Sequence, residues 1–351
     1  MGARLGWGQR KRPEEAFMIA RRPLLGAGLA LPFLRPAAAQ TSQGSTGQGG
    51  AEWPSRAVRV IVPFPPAGST DVMTRIYAEQ LQARLGQNFV IENRPGAGGN
   101  IGMDAIAKSP ADGYTLGMAT IGQFSINQFL YSRMPWDIDR DFVAVALTYE
   151  LPNVFIVSSQ HCPARTLQEF IAWARERPQG ISYGSPGVGT TAHLSGALFT
   201  HRLKLNAEHV PFRGAAQITP AMLSGDLTCA IDNLASYIPI IQEGRMRAFA
   251  VTDSSRWPSL PDIPTMAEAG MPDFVITSWA AMVAPAGTPR PVVDRLNGAL
   301  KAVAEDPAMQ RRALQAGTKL LWSTPEGAVE RGRRERPMWQ EAVRLTGARA
   351  D

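Results

Sequence analysis

The stretch "VRVIVPFPPAGSTD" (Val58 to Asp71) runs from an apolar strand through a Pro/Gly turn into the start of a helix. "ISYGSPGVGTTAH" (Ile181 to His193) repeats the design later in the chain. A strand that ends in Gly, Pro and Ser/Thr and then opens a helix presents unpaired backbone N–H groups and the positive end of the helix dipole. That arrangement binds anions without a cationic side chain. Two copies in separate halves of the chain point to a carboxylate held between two lobes.

The N-terminal segment is set aside before the fold is considered. Arg21 and Arg22 precede the apolar run "LLGAGLALPFL" (Leu24 to Leu34), and Ala37-Ala38-Ala39 forms an A-x-A cleavage pattern before Gln40. The run is shorter than the ~20 residues of a membrane anchor. Met1–Ala39 therefore reads as an export signal to the periplasm, by the general secretory or the twin-arginine route. Glu14 and Glu15 make Met18 an alternative start.

Removing that segment changes the charge. The whole chain has 36 Lys/Arg and 30 Asp/Glu; without the seven and two in Met1–Ala39, 29 face 28. The high pI belongs largely to the leader and is no argument for nucleic acid. Cys162 and Cys229 show no metal spacing, the four histidines form no H-x-x-x-H pair, and two buried free thiols are expected. Neither a metal nor a cofactor is implied.

Residues 40–52 read as a flexible polar tether. From Trp53, strands and helices alternate, which gives an α/β class with mainly parallel sheets. Val58 to Val62 is a strand, followed by a helix from Asp71 to Leu85 with Val72, Ile76 and Leu81 toward the core. Phe142 to Ala146 and Val154 to Ser158 read as two strands with Pro152 between them. Pro258, Pro261, Pro264 and Pro272 mark a long irregular crossing, and three helices close the chain (Arg290 to Ala304, Ala308 to Ala316, Pro325 to Leu345). Two crossings divide it into lobe 1 (53–150 and 253–351) and lobe 2 (151–252), with a hinge and cleft between.

The ordered segments "IENRPGAGGNIGMDAIAKSPADGYTLGMAT", "MPWDIDRDF", "VPFRGAAQITPAMLSGDL", "LPDIPTMAEAGMPDF" and "SWAAMVAPAGTPRPVVDRLN", together with the two loops, are individually weak and jointly specific. On them the chain resembles the tripartite tricarboxylate transporter receptors, the Bug-type periplasmic solute-binding proteins. The resemblance implies a two-lobed type II periplasmic binding fold, a small carboxylate in the cleft (a di- or tricarboxylate, an amino acid or an aromatic acid), and delivery to membrane permease subunits. A monomer is expected. This chain departs from the usual pattern at Ala67 (commonly Gly), Phe212 (commonly Tyr) and "GDLTCAID".

The expected ligand contacts follow from the loops. Phe64, Pro65 and Pro66 form a stiff apolar wall. The N–H groups of Gly68, Ser69 and Thr70 converge on the acid, with the Ser69 or Thr70 hydroxyls as added donors and the Ala67 backbone close by. Asp71 either stabilises the helix dipole or orients the loop or a ligand-bound water. Gly187, Val188, Gly189 and Thr190 supply opposing donors, Thr191 caps the helix, and His193 is either structural or a contact. Thr120 and Ile121 lie at a carboxyl strand end, where open α/β sheets bind ligands. Asp232, at the equivalent position of the other lobe, is either a loop cap or a contact to an ammonium or hydroxyl of the ligand. Arg94 and Arg213 flank Gly turns and read as solvated, as does the run "ERGRRER" (Glu330 to Arg336).

Two rivals remain. A ligand-presenting sensor for a membrane receptor kinase has the same sequence features. An α/β enzyme is disfavoured, because "NRPGAGGNIG" departs from G-x-G-x-x-G and lacks the acidic residue at the next strand end.

Overall fold

The computed structural model describes residues 53–350, so the export-signal and tether readings lie outside the described residues. The elements in order are β1 (Val58–Val62), α1 (Ser69–Leu85), β2 (Phe89–Asn93), α2 (Asn100–Ala107), β3 (Thr115–Thr120), α3 (Asn127–Leu130), β4 (Phe142–Ser158) and α4 (Leu167–Arg175). They continue with β5 (Ile181–Ser185), α5 (Thr191–Leu203), β6 (Ala207–Pro211), α6 (Ala215–Ser224), β7 (Cys229–Asn233), α7 (Ile238–Gln242) and β8 (Met246–Val251). The chain ends with β9 (Thr277–Pro285), α8 (Arg290–Ala304), α9 (Pro307–Gln315), β10 (Lys319–Leu320) and α10 (Pro325–Thr346).

The strands order as β2-β1-β3-β9-β4-β7-β5-β6, with β8 and β10 also on β4. The outer strands pair in parallel, β1 with β2 and β3, and β5 with β6 and β7. The middle runs antiparallel, where β9 returns between β3 and β4. Strands covered on both faces read as apolar runs, and Val58, Val60, Ile61 and Val62 of β1 are all buried.

β4 is one strand where the sequence suggests two. Its first part, Phe142 to Pro152, pairs with β9, and its second, Asn153 to Ser158, with β7 and β8. Pro152 interrupts nothing, and register shifts in the first part bend the strand instead. Thr252 ties the neighbouring crossing to this point, its N–H donating to the Asn153 carbonyl at 2.9 Å.

Two further expectations change. Val72 is 41% exposed, and the core face of α1 is carried by Met73, Ile76, Tyr77 and Leu81. The Glu330–Arg336 run is a solvated face only in part: Glu330, Arg333 and Arg334 are exposed, and the others pack inward. Arg331 bonds Glu150 at 2.9 Å and Glu335 at 3.0 Å, while Arg336 reaches Asp139 at 2.8 Å. Gly332 explains the close approach: a Cβ there would lie 3.0 Å from the Phe124 ring. Cys162 and Cys229 are buried and unlinked.

The second half of the sheet packs on an aromatic centre. Phe155 of β4 is fully buried, with the Phe170 and Phe199 rings each 4.9 Å away and Phe249 at 5.8 Å. Truncating a buried Phe removes its transfer energy and leaves a cavity, a loss of ~3–5 kcal/mol. Phe155→Ala is expected to lower unfolding free energy by about that amount in urea titration; a change under ~1 kcal/mol would mean this cluster does not anchor the half.

Candidate functional site

A cavity of about 780 Å³ opens at the carboxyl ends of β1, β3, β5, β6 and β7. Its walls are the turns after those strands, the Pro95–Gly99 turn, and the first residues of β9. Of the residues singled out from sequence, Phe64, Pro65, Gly68, Ser69, Thr70, Thr120, Ile121, Gly187, Val188, Gly189, Thr190 and Asp232 lie on this wall. Ala67, Asp71 and His193 do not.

Ala67 sits in the left-handed region (φ 66) and turns its N–H away, onto the Asp71 carboxylate at 3.0 Å. The usual glycine would adopt this φ without cost. Asp71 is buried behind the loop and also takes two bonds from Arg75, both 3.0 Å, and one from Asn93 at 2.9 Å. Burial works against its ionisation, but the bonds from Arg75, Ala67 and Asn93 outweigh it and hold its pKa below the usual carboxylate value. Asp71 thus clamps the loop from outside the cavity. In front of the clamp, the Gly68, Ser69 and Thr70 amides have no acceptor among the described residues, as the first turn of a helix requires.

The second loop spends its amides differently. Gly187 donates to Ser185 Oγ at 3.3 Å, Gly189 to His193 Nδ1 at 3.4 Å, and Thr190 to the Gly187 carbonyl at 3.4 Å. Three of the four expected donors are therefore taken, because Gly187 (φ 135) and Gly189 (φ 89) fold the loop onto itself. The cap is Thr190, whose hydroxyl accepts from His193 N–H at 3.2 Å; Thr191 is the first helical residue. In this loop and the first turn of α5, the wall amides of Val188, Thr191 and Ala192 have no acceptor among the described residues.

His193 braces this loop from below. It is 5% exposed, its ring lies 4.2 Å from that of His209, and His209 Nε2 meets Ser185 Oγ at 2.7 Å. Burial, with His209 alongside, pushes the His193 pKa down to about 3, and burial lowers His209 to about 4. Both rings are neutral near pH 7, which leaves His193 Nδ1 free to accept from Gly189.

Asp232 lines the wall, but its carboxylate is engaged by the Tyr237 hydroxyl at 2.8 Å and its neighbour's N–H, Asn233, at 2.7 Å. Complete burial pushes its pKa up to about 6. Thr120 is tied to Gln123, whose Oε1 accepts from the Thr120 N–H at 2.7 Å and hydroxyl at 2.8 Å. Gln123 in turn donates to the Gly98 carbonyl at 2.6 Å.

Sequence reasoning missed Tyr149, Asn233, Ser278 and Trp279, all on the wall. Their signal is weak, since each is an ordinary strand residue until the topology brings its end to the cleft. Arg213, read as solvated, is exposed and also lines the cavity; it and Asp232 are the charged side chains among the lining residues. Arg94 is held by Glu92 at 2.5 Å and stays off the wall.

The second loop lies against the Pro95–Gly99 turn and the start of α3. A Cβ at Gly98 would lie 2.7 Å from the Val188 carbonyl, and one at Gly189 2.7 Å from Asn127 Oδ1. A mixed α/β sheet flanked by helices, with a cleft at its carboxyl strand ends, defines the two-lobed periplasmic binding protein class. Within that class, residues 73–323 match the tripartite tricarboxylate transporter family receptor, and the chain belongs to this family. It is 36% identical over 334 residues to the UPF0065 protein of the tcbD-tcbE intergenic region from Pseudomonas sp. strain P51, covering 95% of this chain and 96% of that one. Rpa4515 of R. palustris, solved with adipate, superposes with a TM-score of 0.82 at 34% identity, over 84% of this chain and 99% of that one. MatC (Rpa3494) from Rhodopseudomonas palustris, solved with bound malate, gives 0.77 at 30% identity, over 83% and 100%.

The neutral histidines set a pH dependence. Both have pKa values below the ordinary 6.5, so the unfolded chain binds more protons below that pH. Their stabilisation is complete above 6.5 and is lost as pH falls toward 4 and then 3. The melting temperature of the parent is expected to drop more steeply between pH 7 and pH 5 than that of His209→Gln. Identical slopes in a thermal-denaturation series would dispose of the imidazole pair as the cause.

Proposed function

We propose that the protein is a periplasmic receptor that captures a small carboxylate between two sets of backbone amides, closes over it, and delivers it to the permease subunits of a tripartite tricarboxylate-type transporter. One observation carries this reading. N–H groups of Gly68, Ser69 and Thr70 on one wall, and of Val188, Thr191 and Ala192 on another, have no acceptor among the described residues and belong to the same cavity. Adipate in Rpa4515 and malate in MatC support a carboxylic acid as the class of ligand.

The energetics suffice. A hydrogen bond to a charged group contributes ~1.5–3 kcal/mol. Four such bonds, less immobilisation and desolvation, reach about −8 kcal/mol, a micromolar Kd. Arg213 at the rim adds attraction through solvent and is not needed to hold the acid.

In this reading lobe 1 is 53–150 with 253–351, lobe 2 is 151–252, and the ligand favours the closed state by contacting both. Met1–Ala39 directs export, and the receptor works as a monomer. The division of β4 between its two sets of partners supports the hinge.

The chain from Gln40 onward is expected to gain thermal stability with a subset of small carboxylates, adipate and malate among those screened, and none with their methyl esters. Equal stabilisation by acid and ester would remove the mechanism.

The donors can be tested singly. Ser69 and Thr191 each occupy the first helical position after an extended residue, Gly68 (ψ 165) and Thr190 (ψ 157), so proline fits both without strain. Ser69→Pro and Thr191→Pro delete one N–H each. Calorimetry should show ~10- to 100-fold weaker binding than for Ser69→Ala and Thr191→Ala. Proline variants that bind like their alanine counterparts would take these amides out of the site.

A further inference from the structure

Four side chains on the cavity wall form one hydrogen-bonded chain. Asn233 Nδ2 donates to Ser69 Oγ at 2.9 Å, and Ser278 Oγ donates to Asn233 Oδ1 at 3.1 Å. The Ser278 hydroxyl also bonds that of Thr191. Ser69 and Thr191 are the first residues of α1 and α5, Asn233 ends β7, and Ser278 lies at the start of β9. The chain therefore joins the first turns of the two helices whose amides form the cradles.

With the Asn233 amide nitrogen toward Ser69 and its oxygen toward Ser278, proton counting sets the direction. A hydroxyl has one proton to give. Ser278 gives its own to Asn233, so Thr191 donates to Ser278. At the other end Ser69 receives, and its own proton has no acceptor among the described residues. Ser69 is 7% exposed and faces the cavity.

On the reading that a carboxylate lies against the first cradle, we infer that Asn233 is a positioning residue: by donating to Ser69 Oγ it turns the Ser69 O–H onto the ligand. The Gly68, Ser69 and Thr70 amides then gain a hydroxyl donor. With the amide turned over, Asn233 would take the Ser69 proton and leave an oxygen lone pair facing the anion. Asn233 acts through Ser69 and need not touch the ligand, and the two sites are coupled.

A double-mutant cycle reads that coupling. Calorimetric titration with adipate, or with malate if it stabilises the parent more, is run on the parent, Asn233→Leu, Ser69→Ala and the double variant. Asn233→Leu should weaken binding about tenfold with Ser69 present and less than about twofold with Ser69→Ala. Equal losses in the two backgrounds mean a purely structural asparagine and overturn the inference.

A second arm needs no ligand. In Ser69→Cys the thiol would accept from Asn233 Nδ2, which favours the thiolate. Its pKa, from the pH dependence of iodoacetamide labelling of the peptide containing position 69, should rise by about one unit when Asn233→Leu is added. No change, or a fall, means that the amide oxygen faces position 69 and overturns the inference. If neither acid binds the parent, the carboxylate reading fails, and the thiol arm still decides the direction of the chain.

Discussion

The structure depends on β4 belonging to two sets of strands at once. Phe142 to Pro152 completes one half of the sheet against β9, and Asn153 to Ser158 opens the other against β7 and β8. Because the outer strands of each half run parallel, their turns all emerge at carboxyl ends, and sharing β4 brings both sets of turns to one cavity. The crossing from β8 to β9 is fastened at the same place. Thr252 bonds Asn153 and the Ile276 carbonyl, so both passages between the halves meet in a short buried region.

Given that frame, each loop has a support behind it that keeps its unpaired amides facing the cavity. The two loops solve this with different chemistry. Behind the first stands an ion pair, Asp71 with Arg75, backed by Asn93. Behind the second stands a neutral imidazole pair joined to Ser185. An ionised clamp near α1 would add a negative charge to the cradle if Arg75 did not balance it. The histidine pair adds no charge near pH 7, and its lowered pKa values are the consequence of the burial that lets it brace Gly189.

Much of the fold was legible, because apolar strands bounded by Pro/Gly turns and helices with a single apolar face leave a local pattern. The first loop was legible for the same reason, as helix geometry alone leaves the Gly68, Ser69 and Thr70 amides unpaired. What stayed hidden was decided by contacts distant in sequence. Pro152 looked like a break because nothing local shows that β9 pairs up to it and that β7 and β8 take over from the next residues. The second loop looked like four free donors because its folding onto Ser185 and His193 depends on positive φ at Gly187 and Gly189. Asn233 and Ser278 carry no local signal, since only the meeting of β7 and β9 with α1 gives them a role.

Charge placement around the cavity argues for a site that recognises an anion chiefly by dipoles. Asp232 is desolvated, and both its oxygens are occupied by Tyr237 and Asn233, so its charge is offset locally. Arg213 is exposed at the rim, where solvent screens it. A buried arginine in its place would bind an acid more strongly in the open state as well as the closed one, and uniform affinity shifts no equilibrium. Amides and hydroxyls distributed over both walls avoid that difficulty. In the proposed function each wall alone offers two or three modest bonds, and the full set is available to an acid only where the halves meet, which would couple the free energy of binding to closure.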